Sequence, residues 1–298
     1  MKSKLALLFS LVLSAGVAFA QGISTGSSHL NLPFGARSAA LGEATVADNG
    51  HLSSWLVNPA NLGTTGQVSV LLTHSQWIQD VRSQYVGTQV PLTFGTIGFI
   101  VSNSSVSGIE IRETPGPPLG TFTAHFAALQ GGFARNIHES IVAGVSLKYV
   151  YEKLYVDEAT GFGLDVGLTY LTPMRGLSVG LAVTNLGELG KFRSDPSRLP
   201  AAARVGGSYL LGYDDFEFGL HAAMANDLHL GKTHAHVGAE TSYQGIVALR
   251  LGYETGFETR GISAGLGVRY SLVSLDYAYV PFSLGLGSAH LFSIGFQF

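Results

Sequence analysis

Segment after segment of this chain alternates apolar residues with small or polar ones, and no helical pattern separates the segments. In one clear example the apolar positions are Ile262, Ala264, Leu266, Val268 and Tyr270. Because successive side chains of a strand point to opposite faces, this alternation predicts strands with one apolar face. A long series of such strands predicts a sheet that closes on itself, which leaves no free edge.

The alternation predicts about fourteen strands, at roughly 67–77, 81–91, 95–107, 120–135, 139–151, 161–171, 176–186, 200–212, 215–226, 232–243, 246–255, 261–270, 273–281 and 289–298. Longer connections are expected at 108–119, 152–160, 187–199, 227–231, 256–260 and 282–288. Short turns on one side and longer loops on the other are typical of outer-membrane barrels. The predicted fold class is therefore all-β, a closed antiparallel transmembrane β-barrel.

Composition agrees with a wall that meets lipid. Charged residues make up 12% of the chain, about half of the usual ~25%. Aromatic residues are expected in two belts at the membrane surfaces: an outer belt of Trp77, Tyr149, Tyr151, Tyr253, Tyr277 and Tyr279, and a periplasmic belt of Tyr170, Tyr209, Tyr213, Phe216, Tyr243, Tyr270 and Phe298. A soluble β-sandwich is the alternative, but it leaves these belts unexplained. The net charge of −3 indicates no nucleic-acid partner.

The two ends of the chain indicate export to the bacterial outer membrane. Lys2 and Lys4, an apolar run and Ala18-Phe19-Ala20 predict a signal peptide over residues 1–20. The apolar run is too short for the alternative, a transmembrane anchor. The last residues alternate up to Phe296 and Phe298, an ending typical of barrels that the barrel-assembly machinery recognises. The expected partners are therefore that machinery and outer-membrane lipid.

Residues 21–66 differ from the rest, and we expect them to form a small, partly helical plug, with the barrel proper at 67–298. Their composition is small and mixed, and Asn58-Pro59-Ala60 predicts a turn because proline cannot continue a ladder. A fourteen-stranded barrel is wide enough to need filling. Arg37 and Glu43 are expected to meet inward charges of the wall.

The inward face of the wall is expected to be polar. It should carry Lys148, Asp165, Arg204, Glu217, His221, His234, His236, Glu240, Arg250, Glu254, Arg269 and Asp276. Such groups face water, the plug or each other, and the charged partners expected for the plug include Asp165, Glu217 and Arg269. The alternative is a selectivity ring for a charged solute.

No catalytic constellation is recognisable, so the sequence does not predict an enzyme or a cofactor. His234 and His236 lie on one strand face with Glu240 further along it, and His221 lies on the preceding strand. These residues leave a zinc site open as an alternative to a solvated, paired lumen. The spacing matches no established metal motif, so no metal is predicted.

The chain resembles the PorV/PorQ family of outer-membrane barrels. The resemblance lies in the N-terminal 35–44 and 58–62 segments and in the closing 251–256, 261–267, 275–279 and 292–298 segments. It implies a fold similar to that of the FadL-type fatty-acid transporters, with fourteen strands and an N-terminal hatch that carries an Asn-Pro-Ala turn.

The resemblance also implies a role in type IX secretion. A carrier or adaptor of that kind would bind secreted cargo or other secretion components. The loop 108–120, with Pro115, Pro117 and Pro118, and the charged loop 187–199 are the expected contact surfaces. The alternative is a FadL-like transporter of hydrophobic or small solutes through the lumen and hatch.

Overall fold

The computed structural model describes residues 26–48, 50–64, 66–192 and 197–298. The predicted signal peptide lies outside these residues. The strands are β1 Ser69–Gln76, β2 Val81–Leu92, β3 Gly95–Ile111, β4 Gly120–His138, β5 Ile141–Leu154, β6 Asp157–Leu171, β7 Leu177–Leu189, β8 Ser197–Arg198, β9 Ala202–Tyr213, β10 Phe216–Asp227, β11 Thr233–Tyr243, β12 Val247–Glu254, β13 Ile262–Tyr270, β14 Val273–Pro281 and β15 Ser288–Gln297.

The long strands form a closed antiparallel barrel. Each pairs with its neighbours in the chain, β6 pairs with β7, β7 pairs with β9, and β1 pairs with β15 to close the sheet. The two-residue β8 is paired only to the end of β7. Without β8 the wall has fourteen strands, so the predicted fold class is confirmed.

Connections differ in length at the two ends of the barrel. At the end that holds the start of β1, the connections are as short as the two-residue turns 93–94 and 214–215, and the longest of them is 172–176. At the opposite end they reach 112–119 and 190–201. Because short turns mark the periplasmic side of outer-membrane barrels, the short-turn end is periplasmic and the long-loop end is outer.

Two predicted loops are wrong in extent. Residues 152–160 form no long loop, because β5 runs to Leu154 and β6 begins at Asp157. A tight hairpin joins them, and Tyr155 takes a left-handed φ of 57° in its turn. β3 also continues to Ile111, past an irregularity in its pairing with β4, so the proline loop is only 112–119. The alternation of apolar residues did not predict these strand ends, because they pair above the apolar band and carry charged residues.

The outer wall is apolar. Leu147, Phe162, Leu249 and Leu266 are at least half exposed, whereas the residues between them on each strand are buried toward the lumen. Closed barrels and helices are the two structures that can span a bilayer, so this wall spans an outer membrane, as predicted. Among the described residues, no helix is long and apolar enough to cross a membrane.

Most residues of the predicted belts are exposed on the wall, whereas Trp77, Tyr151, Tyr209 and Tyr277 are partly buried. Tyr149, Tyr253, Tyr213 and Tyr270 are exposed on the wall. Trp77 is only half exposed, because its ring packs edge-on against Phe282 in the outer loop 282–287.

The N-terminal segment lies inside the barrel. Its described residues contain one α-helix, α1 (Ala36–Ala40), and three 3-10 turns at Ser28–Asn31, Leu52–Ser54 and Pro59–Thr64. The helix contacts β12 to β15, while the Pro59–Thr64 turn contacts β3 to β6 on another side of the lumen. We call the described residues 26–64 of this segment the plug.

Glycines in the wall make room for the plug. Trp55 is fully buried, and its ring lies over Gly98 and Gly132, which face each other across β3 and β4. A Cβ at these glycines would lie 2.9 Å and 2.6 Å from the nearest ring carbon. The high glycine content therefore serves the fit between plug and wall as well as the strands.

The assigned faces can be tested at two neighbouring residues of β12. Leu249→Arg places a charge against lipid and should cost about 2–4 kcal/mol of barrel stability. Ala248→Arg is the matched control, because Ala248 faces the lumen beside a periplasmic cavity. Unfolding by denaturant in lipid vesicles, followed by the gel shift of folded barrel on boiling, measures both. Equal losses at 248 and 249 would contradict the assigned faces.

Candidate functional site

A chain of charges ties the plug to the wall. Arg37 of α1 bonds Asp48 of the plug on one side and Glu240 of β11 on the other. Its Nη2 and Nε lie 2.9 Å and 3.1 Å from the two oxygens of Glu240. This bidentate geometry is the strongest that an arginine forms with a carboxylate.

The series of ion pairs continues along the barrel wall. Arg250 of β12 bonds Glu240 through Nε and Asp276 of β14 through Nη1, the latter at 2.7 Å. Asp48, Arg37, Glu240, Arg250 and Asp276 therefore form one continuous network, which we call the latch. Three negative charges face two positive ones in it.

The latch was predicted only in part. Arg37 meets an inward charge of the wall, as expected, but this charge is Glu240 and not one of the suggested Asp165, Glu217 or Arg269, and its second partner, Asp48, belongs to the plug. Asp48 was not identified, since one aspartate in a polar segment carries no pattern. Asp48 lies eleven residues after Arg37, beyond the end of α1, so only the tertiary fold brings the two side chains together.

The pKa values of the plug groups follow from burial and from these ion pairs. Burial alone would raise the pKa of Asp48, but the Arg37 guanidinium outweighs burial and holds that pKa below its usual value. Burial would likewise lower the pKa of Arg37, yet Asp48 and Glu240 raise it. Burial, with the charge of Arg37, lowers the pKa of His51 to about 4, so His51 is neutral at pH 7.

The predicted turn Asn58-Pro59-Ala60 anchors the periplasmic end of the plug. The Asn58 side-chain oxygen accepts a bond from Ala60 N at 3.0 Å, which fixes the turn. Its Nδ2 donates to Val46 O within the plug at 2.8 Å and to Leu168 O and Thr169 Oγ1 on β6 at 3.2 and 3.1 Å. One amide thus joins two plug segments to the wall.

Wall glycines and a second asparagine complete this anchor. The backbone of Pro59 and Ala60 occupies the space over Gly144, where a Cβ would overlap it. Asn61 accepts a bond from Thr169 Oγ1 at 3.1 Å and donates to Thr45 O at 3.2 Å. Asn61 entered the sequence analysis only as part of the 58–62 segment of the resemblance, and Thr169 was not singled out.

Lys148 and Asp165 form a separate network within the wall. Their side chains lie 3.0 Å apart, and both are buried. Asp165 also accepts bonds from Gln130 and Ser146 side chains and from the Asn185 backbone N–H, at 2.7 to 3.0 Å. Because all these partners are on strands β4 to β7, this network braces the wall and does not reach the plug.

Glu43 and Glu254 lie at the outer end, in contact with an outer loop. Arg260 of loop 255–261 lies 3.1 Å from Glu254 and 3.9 Å from Glu43 of the plug. Its guanidinium also lies 4.1 Å from the ring centroid of Phe257, a cation–π distance. His236 Nδ1 is 2.8 Å from Gly42 O in the same region. The outer loop therefore holds the plug at a second point.

The histidines point to different partners. His221 bonds Ser208, His234 stacks on Phe257, and His236 bonds the plug backbone. In the described part of the chain, no three His, Asp or Glu side chains are grouped to hold a metal ion. The alternative of a zinc site on His234, His236, Glu240 and His221 is therefore not supported.

A cavity of about 180 Å³ opens on the periplasmic side below the latch. Glu217 and Arg269 lie in it beside Arg37, Glu240, Arg250 and Asp276. We call this cavity the vestibule. Arg204 lies elsewhere, beside the plug residues Ser38, Glu43 and Val57, so the predicted lumen charges do not form one ring.

At the chain end, Phe296 pairs with Val70 and Val273, and Phe298 is exposed.

Comparison with solved structures identifies the architecture. The barrel with its plug is similar to the Pseudomonas putida toluene transporter TodX, at a TM-score of 0.62 and 12% identity over 89% of this chain and 97% of that one. The fold is that of the FadL-type channels. A Pseudomonas aeruginosa FadL homologue matches at a TM-score of 0.56 and 12% identity, over 93% of this chain and 99% of that one.

A third neighbour is the CymD monoaromatic hydrocarbon channel, at a TM-score of 0.59 and 14% identity over 89% of this chain and 97% of that one. No protein-family model and no curated protein match the sequence. At these identities the likeness defines the FadL-type fold alone. The fold that the resemblance implied is thus confirmed.

The anchor of the plug can be tested at Asn58. Asn58→Ala leaves Val46 O, Leu168 O and Thr169 Oγ1 without this donor, and should weaken plug docking by about 1–3 kcal/mol. Hydrogen exchange of plug amides in the folded barrel measures the change, and exchange should accelerate in the plug but not in the strands. Asn226→Ala is the control, because the Asn226 amide donates to Lys232 O and Thr233 Oγ1 at the exposed outer loop 228–232 and its junction with β11. Unchanged exchange in the plug would contradict the anchor.

Proposed function

We propose that this chain is an outer-membrane transporter of hydrophobic or small solutes, in which the plug is a movable gate. The observation that carries the proposal is the way in which the plug is held. The latch joins a helix of the plug to β11, β12 and β14, and the vestibule lies directly below it on the periplasmic side.

The helix α1 of the plug packs directly against the wall. Ala36, Ala39 and Ala40 of α1 are fully buried against Ala278, Val280 and Leu291 of the wall. A solute can pass this contact only if α1 shifts. Because the desolvation of its charges offsets much of their attraction, a buried ion-pair network contributes less net stability than a packed apolar contact of similar volume, which suits a part that must move.

The outer loops suit capture of an apolar solute. Leu119, Leu230 and Leu284 are more than half exposed on three different outer loops. The FadL-type fold supports the same solute class, since two of its members are described as a toluene transporter and a monoaromatic hydrocarbon channel.

A role in type IX secretion, as in the PorV/PorQ family, is a second candidate. The observation that favours it is the proline loop 112–119, which is exposed throughout and is braced by an Arg112–Glu110 pair at 2.6 Å. Such a stiff loop suits docking of a protein. In the other expected loop, Lys191 is exposed and Arg198 lies in β8, whereas Arg193 and Asp195 lie outside the described residues.

Replacement of Arg37 tests the gate. Arg37→Met keeps most of the side-chain length but removes the cation that Asp48 and Glu240 share. Glu240 then keeps its bond from Arg250, whereas the buried Asp48 carboxylate loses the Arg37 charge, a loss of about 3–5 kcal/mol for a buried pair. The plug should open more often, and ion conductance in planar bilayers should rise. Arg82→Met is the control, because Arg82 is exposed on the outer wall.

The solute class is tested by uptake. Cells that lack other hydrocarbon channels should take up a labelled monoaromatic hydrocarbon faster when they express the wild-type chain than when they carry an empty vector. Conductance that rises for the Arg37→Met variant without any hydrocarbon uptake by the wild type would support a gated barrel with another solute. Uptake that is absent, together with secreted proteins that crosslink to loop 112–119, would favour the secretion role.

A further inference from the structure

The helix α1 is held at both of its ends, by different parts of the barrel. At its periplasmic end Arg37 belongs to the latch, whose other members on the barrel lie on β11, β12 and β14. At its outer end the chain turns at Gly42 and Glu43, and the Glu43 carboxylate lies 3.9 Å from Arg260 of the outer loop 255–261. The second contact is therefore made by a loop, whereas the first is made by strands.

The turn at the outer end of α1 depends on its surroundings. Gly42 and Glu43 both have left-handed φ values, of 60° and 55°. A residue other than glycine adopts this conformation at a cost, so neighbouring contacts are needed to hold it. His236 Nδ1 lies 2.8 Å from Gly42 O, and a Cβ at Gly252 of the wall would overlap Gly42 N. Loss of a contact at this turn therefore favours a rearranged turn.

Arg260 is the cation near Glu43 that a loop can carry away. Arg204 also lies beside Glu43, in the lining of the same small cavity, but it is part of strand β9. Arg260 lies 3.1 Å from Glu254 at the outer end of β12, and both carboxylates are mostly buried. The charges of Glu43 and Glu254 are close enough to repel each other. Withdrawal of Arg260 therefore removes the positive charge that they share.

Aromatic rings fix the Arg260 guanidinium within its loop. It lies 4.1 Å from the ring centroid of Phe257 and 5.8 Å from that of Trp77, both within the cation–π range of ~6 Å. Phe257 is itself stacked on His234, with 4.0 Å between the ring centroids. The charge of Arg260 is thus held as a fixed part of the loop, so it follows a movement of the loop.

This loop is joined to a second outer loop. Ser283 N donates to Thr259 O at 2.7 Å, and an isolated β-bridge adds another link. We call loops 255–261 and 282–287 the loop pair. The second of them presents Leu284, which is 81% exposed and is one of the apolar groups suited to solute capture. A solute that binds there contacts the same loops that hold the outer end of the plug helix.

We propose that Arg260 is a positioning residue that couples the loop pair to the gate. Movement of the loop pair withdraws Arg260, frees the turn after α1 and weakens the hold of the latch on the same helix. This inference rests on the proposed function, because it names what releases the plug from the outer side. Such coupling is reciprocal, so a plug loosened at the latch also loosens the loop pair.

Two variants open the contact, one from each side. Glu43→Gln removes the charge on the plug and leaves the Arg260–Glu254 pair in place. Arg260→Met removes the charge on the loop. Lys232→Met is the matched control, because Lys232 is an exposed cation on the neighbouring outer loop 228–232. All three barrels should fold, and the gel shift on boiling checks this.

Hydrogen exchange in the folded barrel measures the coupling in both directions. In Glu43→Gln and Arg260→Met the amide of Leu41, which donates to Arg37 O, should exchange at least about fivefold faster. The amide of Asn61 in the periplasmic anchor should keep its wild-type rate. Conversely, Arg37→Met should accelerate exchange of the Ser283 amide by a similar factor, and should add nothing to that exchange when Arg260 is already methionine.

The possible results separate the coupling from the gate. Wild-type exchange of Leu41 in either folded variant, or wild-type exchange of Ser283 in Arg37→Met, would overturn the coupling. Faster exchange of Leu41 in the Lys232→Met control would overturn it too, because the effect would then not depend on the contact with Glu43. The gate itself fails by a different result, which is conductance of the Arg37→Met variant at the wild-type level.

Discussion

Closure of the sheet is the constraint on which the rest of this structure depends. In hydrocarbon every backbone N–H and C=O needs a partner, so a sheet in a membrane has no tolerable edge. The pairing of β1 with β15 meets that requirement, and with fourteen strands it creates a lumen too wide for wall side chains alone. The plug, its glycine seats and its charged latch follow from the need to fill this space.

The plug is packed in different ways on its different sides. Against β3 to β6 it is held by Trp55 and the Asn58 turn, which sit on glycines with no room for a Cβ. On the β11 to β14 side the helix α1 adds charges to small side chains, and the vestibule borders that contact. The tightly packed side at β3 to β6 suits a hinge, and the charged side at β11 to β14 suits an opening. A gate requires this difference between its two sides.

Sequence alone predicted most of the wall, because period-two alternation is a local signal. All fourteen long strands were expected close to their observed positions, and the turn at Asn58 was identified from its proline. The hairpin at Tyr155 was missed, since Glu152, Lys153 and Glu158 break the apolar pattern where the strands rise out of the lipid. Arg37 meets an inward charge of the wall as predicted, but which charge it meets depends on how the plug is rotated in the lumen, and no local pattern encodes that rotation. Asp48 was overlooked for the same reason.

The central claim is that solute passes only when the plug moves, and a reversible crosslink tests it most directly. Val46 Cβ lies 3.0 Å from the position of a Cβ at Gly206 on β9, about 0.5 Å below the lower end of the ~3.5–4.5 Å range of a disulfide. Val46→Cys with Gly206→Cys should pin the plug to the wall when oxidised. Uptake of a labelled monoaromatic hydrocarbon by cells that carry this variant should then fall to the level of the empty vector and recover on reduction. Uptake that is equal in the oxidised and reduced states, with the disulfide confirmed by mass, would contradict a moving plug.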